Sequence, residues 1–338
     1  MNLTAEQLNN IFDAFDEKKV MVIGDVMLDA YVWGKVERIS PEAPVPVVAV
    51  QHQENRLGGA GNVGLNLQSL GAQTIMCSVI GDDGNGRELK EIFKASGMDV
   101  SGLVETKERM TTTKFRIIGN KAQMLRVDRE TTDPLDAELF QELCSRIDQI
   151  LENQTVDVII FQDYDKGVIS PDLIDFVVAR AKQKQIPVMV DPKKRNFLSY
   201  KGVTLMKPNL KEMVEGLNLT IQADSMESLH HASRTLLEKL DAEMVLNTLS
   251  EKGVYILWKE NSELKEKHIP AHFRNISDVS GAGDTVISVA ALCMAEGLQP
   301  AETAFLSNLA GGLVCEEVGV VPVQKEKLLK EAIRLIQA

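Results

Sequence analysis

The chain of 338 residues has no apolar run long enough to cross a bilayer, so a membrane-spanning helix is not expected. Its four cysteines, Cys77, Cys144, Cys293 and Cys315, are widely spaced and include no C-x-x-C pair. Each lies in or near an apolar segment, which points to reduced, buried thiols in the cytoplasm. Positive charge is also short. With 37 Lys and Arg against 49 Asp and Glu, the net charge of −12 argues against nucleic acid as a general partner. A local basic cluster can still hold a small anion. There is no G-x-x-x-x-G-K-[ST] loop, so any phosphate cradle must be built differently. Nor is there a signal peptide, because Thr4 and Gln7 match a capping box and Leu8, Ile11, Phe12 and Phe15 form one helical stripe. No linker, repeat or low-complexity tract interrupts the chain. With 44% hydrophobic and 25% charged residues, residues 1–338 read as one main α/β domain carrying a small β appendage.

What is present follows an α/β rhythm. Val20 to Gly24 is an all-apolar run of the kind found in buried parallel strands, and it delivers Asp25 and Asp29 to its carboxyl end. Those two acids suit either sugar hydroxyls, a cation or the capping of a loop. Tyr31 to Ile39 and Val45 to Gln51 read as short strands outside the main sheet. Gly58-Gly59-Ala60-Gly61-Asn62 then opens a helix to about Leu70. Gly59, Gly61 and Gly64 fit the dinucleotide fingerprint G-x-G-x-x-G, which would make the chain a nicotinamide oxidoreductase. That motif needs a strand running straight into its first glycine, however, and Gln51 to Arg56 is polar. The alternative is bare backbone against a small substrate, with the Asn62 amide on a hydroxyl. Residues 111–118 and 123–128 flank Gly119-Asn120 as a hairpin. The hairpin and its flanks concentrate Lys107, Arg109, Lys114, Arg116, Lys121, Arg126 and Arg129. Such a cluster serves either to capture an anionic substrate group or to keep an edge strand from aggregating. From about Leu135 onward helices and apolar strands alternate, and the main strands end in polar residues.

One stretch carries the strongest chemical signal. Asp278-Val279-Ser280-Gly281-Ala282-Gly283-Asp284-Thr285 precedes an apolar helix. Bare amides at a helix N-terminus attract a phosphoryl group. A carboxylate beside them, Asp284, is either an N-cap or a base that takes a proton from an attacking hydroxyl. Phosphoryl transfer also needs a metal site and a screening cation. Asn209 and Glu212, three apart at a helix start, can order magnesium through its waters, and Lys193, Lys194 or Arg195 can screen charge.

Three dispersed motifs resemble the PfkB/ribokinase family of sugar kinases: Gly58 to Asn62, Asn209-Leu210-Lys211-Glu212, and Asp278 to Asp284. The resemblance covers nearly the whole chain. Residues 23–29, 38–47, 111–114 and 163–167 are similar to a narrower group within that family. Its members phosphorylate D-glycero-D-manno-heptose 7-phosphate at the anomeric oxygen, in ADP-heptose and lipopolysaccharide synthesis. The resemblance implies a three-layer α/β/α fold with a mostly parallel sheet and a β-strand lid from about 31–51 and 108–129. It also implies ATP, Mg2+ and in some relatives K+, with a homodimer formed through the lid. By motif, Asp284 would be the base and Gly281, Ala282 and Gly283 the anion hole. Asn209, Leu210, Lys211 and Glu212 would serve the nucleotide and its magnesium, joined by Thr248, Ser250, Gly253, Asn308 and Lys193. Asp25, Asp29, Gly58, Gly59, Asn62 and Asp163 would bind the substrate, with the basic residues Lys114, Arg116, Arg126 and Lys166 available to its phosphate. Asp278 aligns with a monovalent-cation ligand. Lys207 departs from the small hydroxyl residue common in relatives, and Leu249 from a basic one. Many heptose enzymes continue into a nucleotidyltransferase; with the chain ending at Ala338, that step is expected of a separate protein. A sugar-binding relative without activity would have no use for a base beside an anion hole.

Overall fold

The computed structural model describes residues 3–219, 225–272 and 275–337. It opens with α1 (Ala5–Ala14), closed by the expected Thr4/Gln7 capping box, and β1 (Lys19–Gly24). The chain then leaves the main layer as the antiparallel pair β2 (Val26–Ile39) and β3 (Pro46–Gly59). It returns through α2 (Ala60–Ser69), β4 (Gln73–Gly81), α3 (Gly84–Ala95) and β5 (Asp99–Thr106). A second excursion makes the hairpin β6 (Thr113–Gly119) and β7 (Ala122–Arg129). Next come α4 (Ala137–Asn153), β8 (Val158–Gln162), α5 (Pro171–Lys184), β9 (Val188–Asp191) and β10 (Leu205–Met206). The remainder is α6 (Leu210–Leu217), α7 (Met226–Leu240), β11 (Met244–Thr248), β12 (Val254–Glu260), β13 (Glu263–Ile269), α8 (Ala282–Ala295), α9 (Pro300–Val314) and α10 (Lys325–Gln337).

Nine strands form one sheet in the order β13-β12-β11-β10-β9-β8-β1-β4-β5, parallel from β11 to β5. Its central strands are near-continuous apolar runs because helices cover both faces. Val20 and Val22 pack with α2, α8 and α9, whereas Met21 and Ile23 point to the core of α4, α5 and α7. The chain proceeds from β1 to one neighbour, β4, and much later inserts β8 on the other side. That reversal opens a crevice at the carboxyl ends of β1, β8, β9 and β10. Above it sits the second sheet, β3-β2-β6-β7, which is the lid.

Four expectations need correction. The lid strands β2 and β3 are 14 residues each, longer than the segments 31–39 and 45–51. Asp29 consequently lies on a lid strand rather than in a loop after β1. The polar stretch Gln51 to Arg56 is strand, so a strand does run directly into Gly59. It is an antiparallel lid strand, however, and Gly61 and Gly64 are helix-packing positions. A Cβ there would stand 3.2 Å from the Phe93 ring and 2.8 Å from Met98 Sδ respectively. The lid hairpin turns at Asn120-Lys121, both with positive φ, one residue later than expected. Finally, β5 and β13 were not foreseen. Both are edge strands of the large sheet, and β13 carries mostly exposed charged residues that hide the apolar signal.

Candidate active site

Asp284 stands at the third position of α8, and the helix cap is Gly281, which makes no side-chain cap bond. The carboxylate therefore does not cap its own helix. It is buried and turned into the crevice, where three side chains from three elements donate to it. Asn62 Nδ2 of α2 reaches Oδ2 at 2.6 Å, while Gln162 Nε2 of β8 and the Tyr164 hydroxyl reach Oδ1 at 3.0 and 2.8 Å. Burial pushes Asp284 up to about 6, opposed by the Asn62 and Tyr164 bonds and assisted by Asp191. A carboxylate so placed is ionised at neutral pH yet basic enough to accept a proton. Gly281 adopts φ of 81°, a left-handed conformation, and a Cβ there would stand 2.9 Å from Asn62 Nδ2. Glycine is required both for the turn and for the Asn62 amide. Among the described residues, the backbone N–H groups of Gly283 and Asp284 find no acceptor, as the first turn of a helix leaves them.

A cleft of about 750 Å³ opens beside this turn. It is bordered by Asp191, Lys193, Lys207, Asn209 and Glu212 on one side and by Thr248, Ser250, Gly253 and Asn308 on another. Asn209 and Glu212 form a reciprocal capping box at the start of α6, and Lys193 pairs with Glu212. Leu210 and Lys211 were expected at the nucleotide and are not part of the cleft. Leu210 packs into the core, and Lys211 is exposed 3.8 Å from Glu215, because helical spacing turns both away. Asp191 and Glu212 border the cleft, but no cluster of three or more metal-ligating side chains exists among the described residues. Such a donor set fits a magnesium held largely by waters and phosphate oxygens, not a protein cage.

The sugar side departs further from expectation. Asp25 is buried, and its carboxylate accepts the backbone N–H groups of Tyr164, Lys166 and Val168 at 2.8, 3.0 and 3.1 Å. Burial and then Asp163 push it up to about 6. It shapes the loop that aims Tyr164 rather than facing a ligand. Asp163 is equally enclosed, accepting from Asn196, Tyr200 and the N–H of Asp165. Lys166 is engaged by Glu130 at 2.8 Å, and Arg126 is exposed beside Asp128. Arg116 lies 2.5 Å from Asp29 and across the Tyr31 ring, with Arg56 on the same ring. Lys114 differs from these. It is half-buried, has no carboxylate within salt-bridge distance among the described residues, and sits 5.9 Å from the centre of the Tyr164 ring. Asp278 spends both oxygens on the N–H groups of Ser280 and Gly319, so its carboxylate ties a loop. Gly58 and Gly59 lie against Asp29 and the Asp25 carbonyl, where a Cβ would stand 2.8 and 2.4 Å away.

Three residues of the site were missed. Tyr164 and Gln162 touch the base directly, and Asp191 pairs with the buried Lys207 that stood out as a departure from the family pattern. All three occupy carboxyl ends of strands, which was the available signal. Asn62 Oδ1 and Gln162 Oε1 are buried acceptors without a protein partner, as a site for hydroxyl groups requires.

Comparison with known proteins agrees with this geometry. A model of the pfkB family of carbohydrate kinases matches residues 17–327. Among curated proteins, "Bifunctional protein HldE" of Geotalea uraniireducens is 39% identical over 96% of this chain and 65% of the relative. The protein of the same name from Syntrophotalea carbinolica is 40% identical over 95% of this chain and 64% of its own. The chain thus spans about 65% of the length of these relatives. Among solved structures, Escherichia coli phosphofructokinase-2 in complex with potassium superposes with a TM-score of 0.78 at 17% identity, covering 95% of this chain and 99% of that one. Arabidopsis thaliana ribokinase complexed with ribose and ATP gives 0.69 at 18%, covering 93% and 99%. These two show the ribokinase-like fold.

Proposed function

Because this chain belongs to the pfkB family and is an ATP-dependent carbohydrate kinase, we propose D-glycero-D-manno-heptose 7-phosphate as its acceptor. Phosphorylation at the anomeric C1 oxygen would give the 1,7-bisphosphate for ADP-heptose synthesis. The observation that carries the assignment is the 39% identity to the HldE protein across 96% of the chain. Lys114 supplies a physical reason for a phosphate on the acceptor, since its half-buried ammonium faces Tyr164 without a carboxylate partner.

The donor set on Asp284 distinguishes its two oxygens. Oδ1 is occupied by Gln162 and Tyr164, while Oδ2 holds only the Asn62 amide and keeps one acceptor position. The attacking hydroxyl therefore donates to Oδ2, and Asn62 Oδ1 and Gln162 Oε1 receive neighbouring hydroxyls. As the acceptor oxygen bonds to the γ-phosphorus, the bond to ADP breaks and the proton passes to Oδ2. The free N–H groups of Gly283 and Asp284 meet the charge on the transferred group. Magnesium, when bound, would neutralise phosphate charge, and Glu212 would hold it through water. Potassium would rely on backbone carbonyls, because the Asp278 carboxylate is already engaged. We assign the outer lid face to a second copy of the chain. On the side away from Asp29 it exposes Val50, Leu125 and Val127 by 61%, 56% and 47%.

The test is ADP release from Mg-ATP across sugars and sugar phosphates, with Asp284→Asn as the blank. A signal confined to heptose 7-phosphate supports the assignment. A stronger signal with another sugar moves the substrate and keeps the mechanism.

A further inference from the structure

One ammonium at this site is buried without its hydrogen bonding being complete. Lys207 follows β10 directly and is 2% exposed. Its Nζ lies 3.1 Å from Asp191 Oδ1, the one side-chain partner it has among the described residues. An ammonium carries three donors, and enclosing one with donors unmet is costly. The position therefore calls for a further acceptor.

The surroundings show where that acceptor comes from. Lys207, Asp191 and Gly283 all border the nucleotide cleft. A Cβ on Gly283 would stand 3.5 Å from Lys207 Nζ and 3.9 Å from Asp191 Oδ2. The ammonium thus lies against the same helix turn whose N–H groups are free. On its other side, Asp191 Oδ2 accepts from Gln162 Nε2 at 3.1 Å, and the same nitrogen donates to Asp284 Oδ1 at 3.0 Å. A single amide therefore fixes the Lys207–Asp191 pair relative to Asp284. Lys193, the other ammonium on this wall, already has Glu212.

We propose that Lys207 is a catalytic cation for the transferred phosphoryl group, donating to its oxygens, and that Asp191 is its positioning residue, itself held by the Gln162 amide nitrogen. The assignment rests on ATP-dependent sugar phosphorylation and not on which sugar is used. In the step, the acceptor oxygen–phosphorus bond forms as the bond between the γ-phosphorus and ADP breaks. The electron pair stays on ADP and the proton goes to Asp284. Lys207 keeps its charge throughout and meets the negative charge on the phosphoryl oxygens between the two partners.

The experiment compares nucleotide affinity and turnover in wild type, Lys207→Met and Lys207→Arg. Calorimetric titration with Mg-ADP and Mg-ATP needs no sugar, so a wrong sugar leaves this arm intact. Lys207→Met should weaken Mg-ATP by about tenfold while changing Mg-ADP by less than about twofold, and should lower kcat by about 100- to 1000-fold. Lys207→Arg should recover part of the kcat loss. Equal weakening of ATP and ADP would reduce Lys207 to a structural partner of Asp191, and a kcat within about threefold of wild type would overturn the assignment outright. Should Lys207→Met fail to fold, the double variant Asp191→Asn/Lys207→Met removes the pair as a unit, and the same ATP-to-ADP comparison decides.

Discussion

Tyr164→Phe removes one hydrogen bond from the base and leaves the ring in place, so its effect can be worked out in advance. The hydroxyl donates to Asp284 Oδ1 at 2.8 Å and favours the ionised carboxylate. Without it, the Asn62 bond and the Lys207 charge remain to oppose burial, with Gln162 still donating to Oδ1, and the carboxyl must rise above its value of about 6. A hydrogen bond to a charged group contributes about 1.5–3 kcal/mol. At about 1.4 kcal/mol per pH unit that corresponds to about one to two units, nearer one if the two remaining donors tighten. A base works only when deprotonated, so kcat/KM falls on the acid side of its pKa. The acid limb of the pH profile, measured for the sugar at saturating Mg-ATP, should move from near 6 toward 7 or above. The plateau at high pH should drop far less than the rate at pH 6. An acid limb that stays in place, or moves to lower pH, would remove Tyr164 as the group that tunes Asp284.

Asp284 also burdens the fold, and the sign of that burden is testable. Its folded pKa of about 6 lies above the 3.8 of a free carboxyl, so the native state holds more proton between those values and loses stability as pH rises through them. The thermal midpoint of Asp284→Asn relative to wild type should therefore climb between about pH 3 and pH 7 and level off above that, by up to about 3 kcal/mol in free energy. A difference independent of pH would mean that the carboxyl is not perturbed. The same variant should lose about 100- to 10000-fold in kcat with Mg-ATP affinity largely kept, as single-turnover and titration data would show. Lys114→Ala should raise KM more for a phosphorylated sugar than for its dephosphorylated form, whereas Arg126→Glu, exposed beside Asp128, should change neither by much. Equal effects of Lys114→Ala on both sugars would return the lid charges to a solubility role. Gly281→Ala forces a side chain into left-handed backbone and against Asn62, at a cost of about 1–3 kcal/mol, and should lower both thermal stability and kcat.

The sequence alone determined the parts whose physics is local. Apolar runs marked β1, β8 and β11, the capping box at Thr4 and the Asn209/Glu212 spacing marked helix starts, and the Gly281–Gly283 turn marked the start of α8. Edge strands β5 and β13 escaped because one exposed side dilutes the apolar pattern. The polar half of β3 escaped because a lid strand needs no buried run. The roles of charged residues were least legible, since they depend on which strand ends meet in space. Asp25 and Asp163 carry the same carboxylate as Asp284, yet they bind backbone and buried side chains. Only assembly brings Asn62, Gln162 and Tyr164, up to 222 positions distant, onto one carboxyl group. Only assembly also sets Lys207 against Asp191 beneath Gly283. All three carboxylates are buried, and their partners are what separate them, because removing water makes each remaining partner decide whether a charge is held, moved or lost.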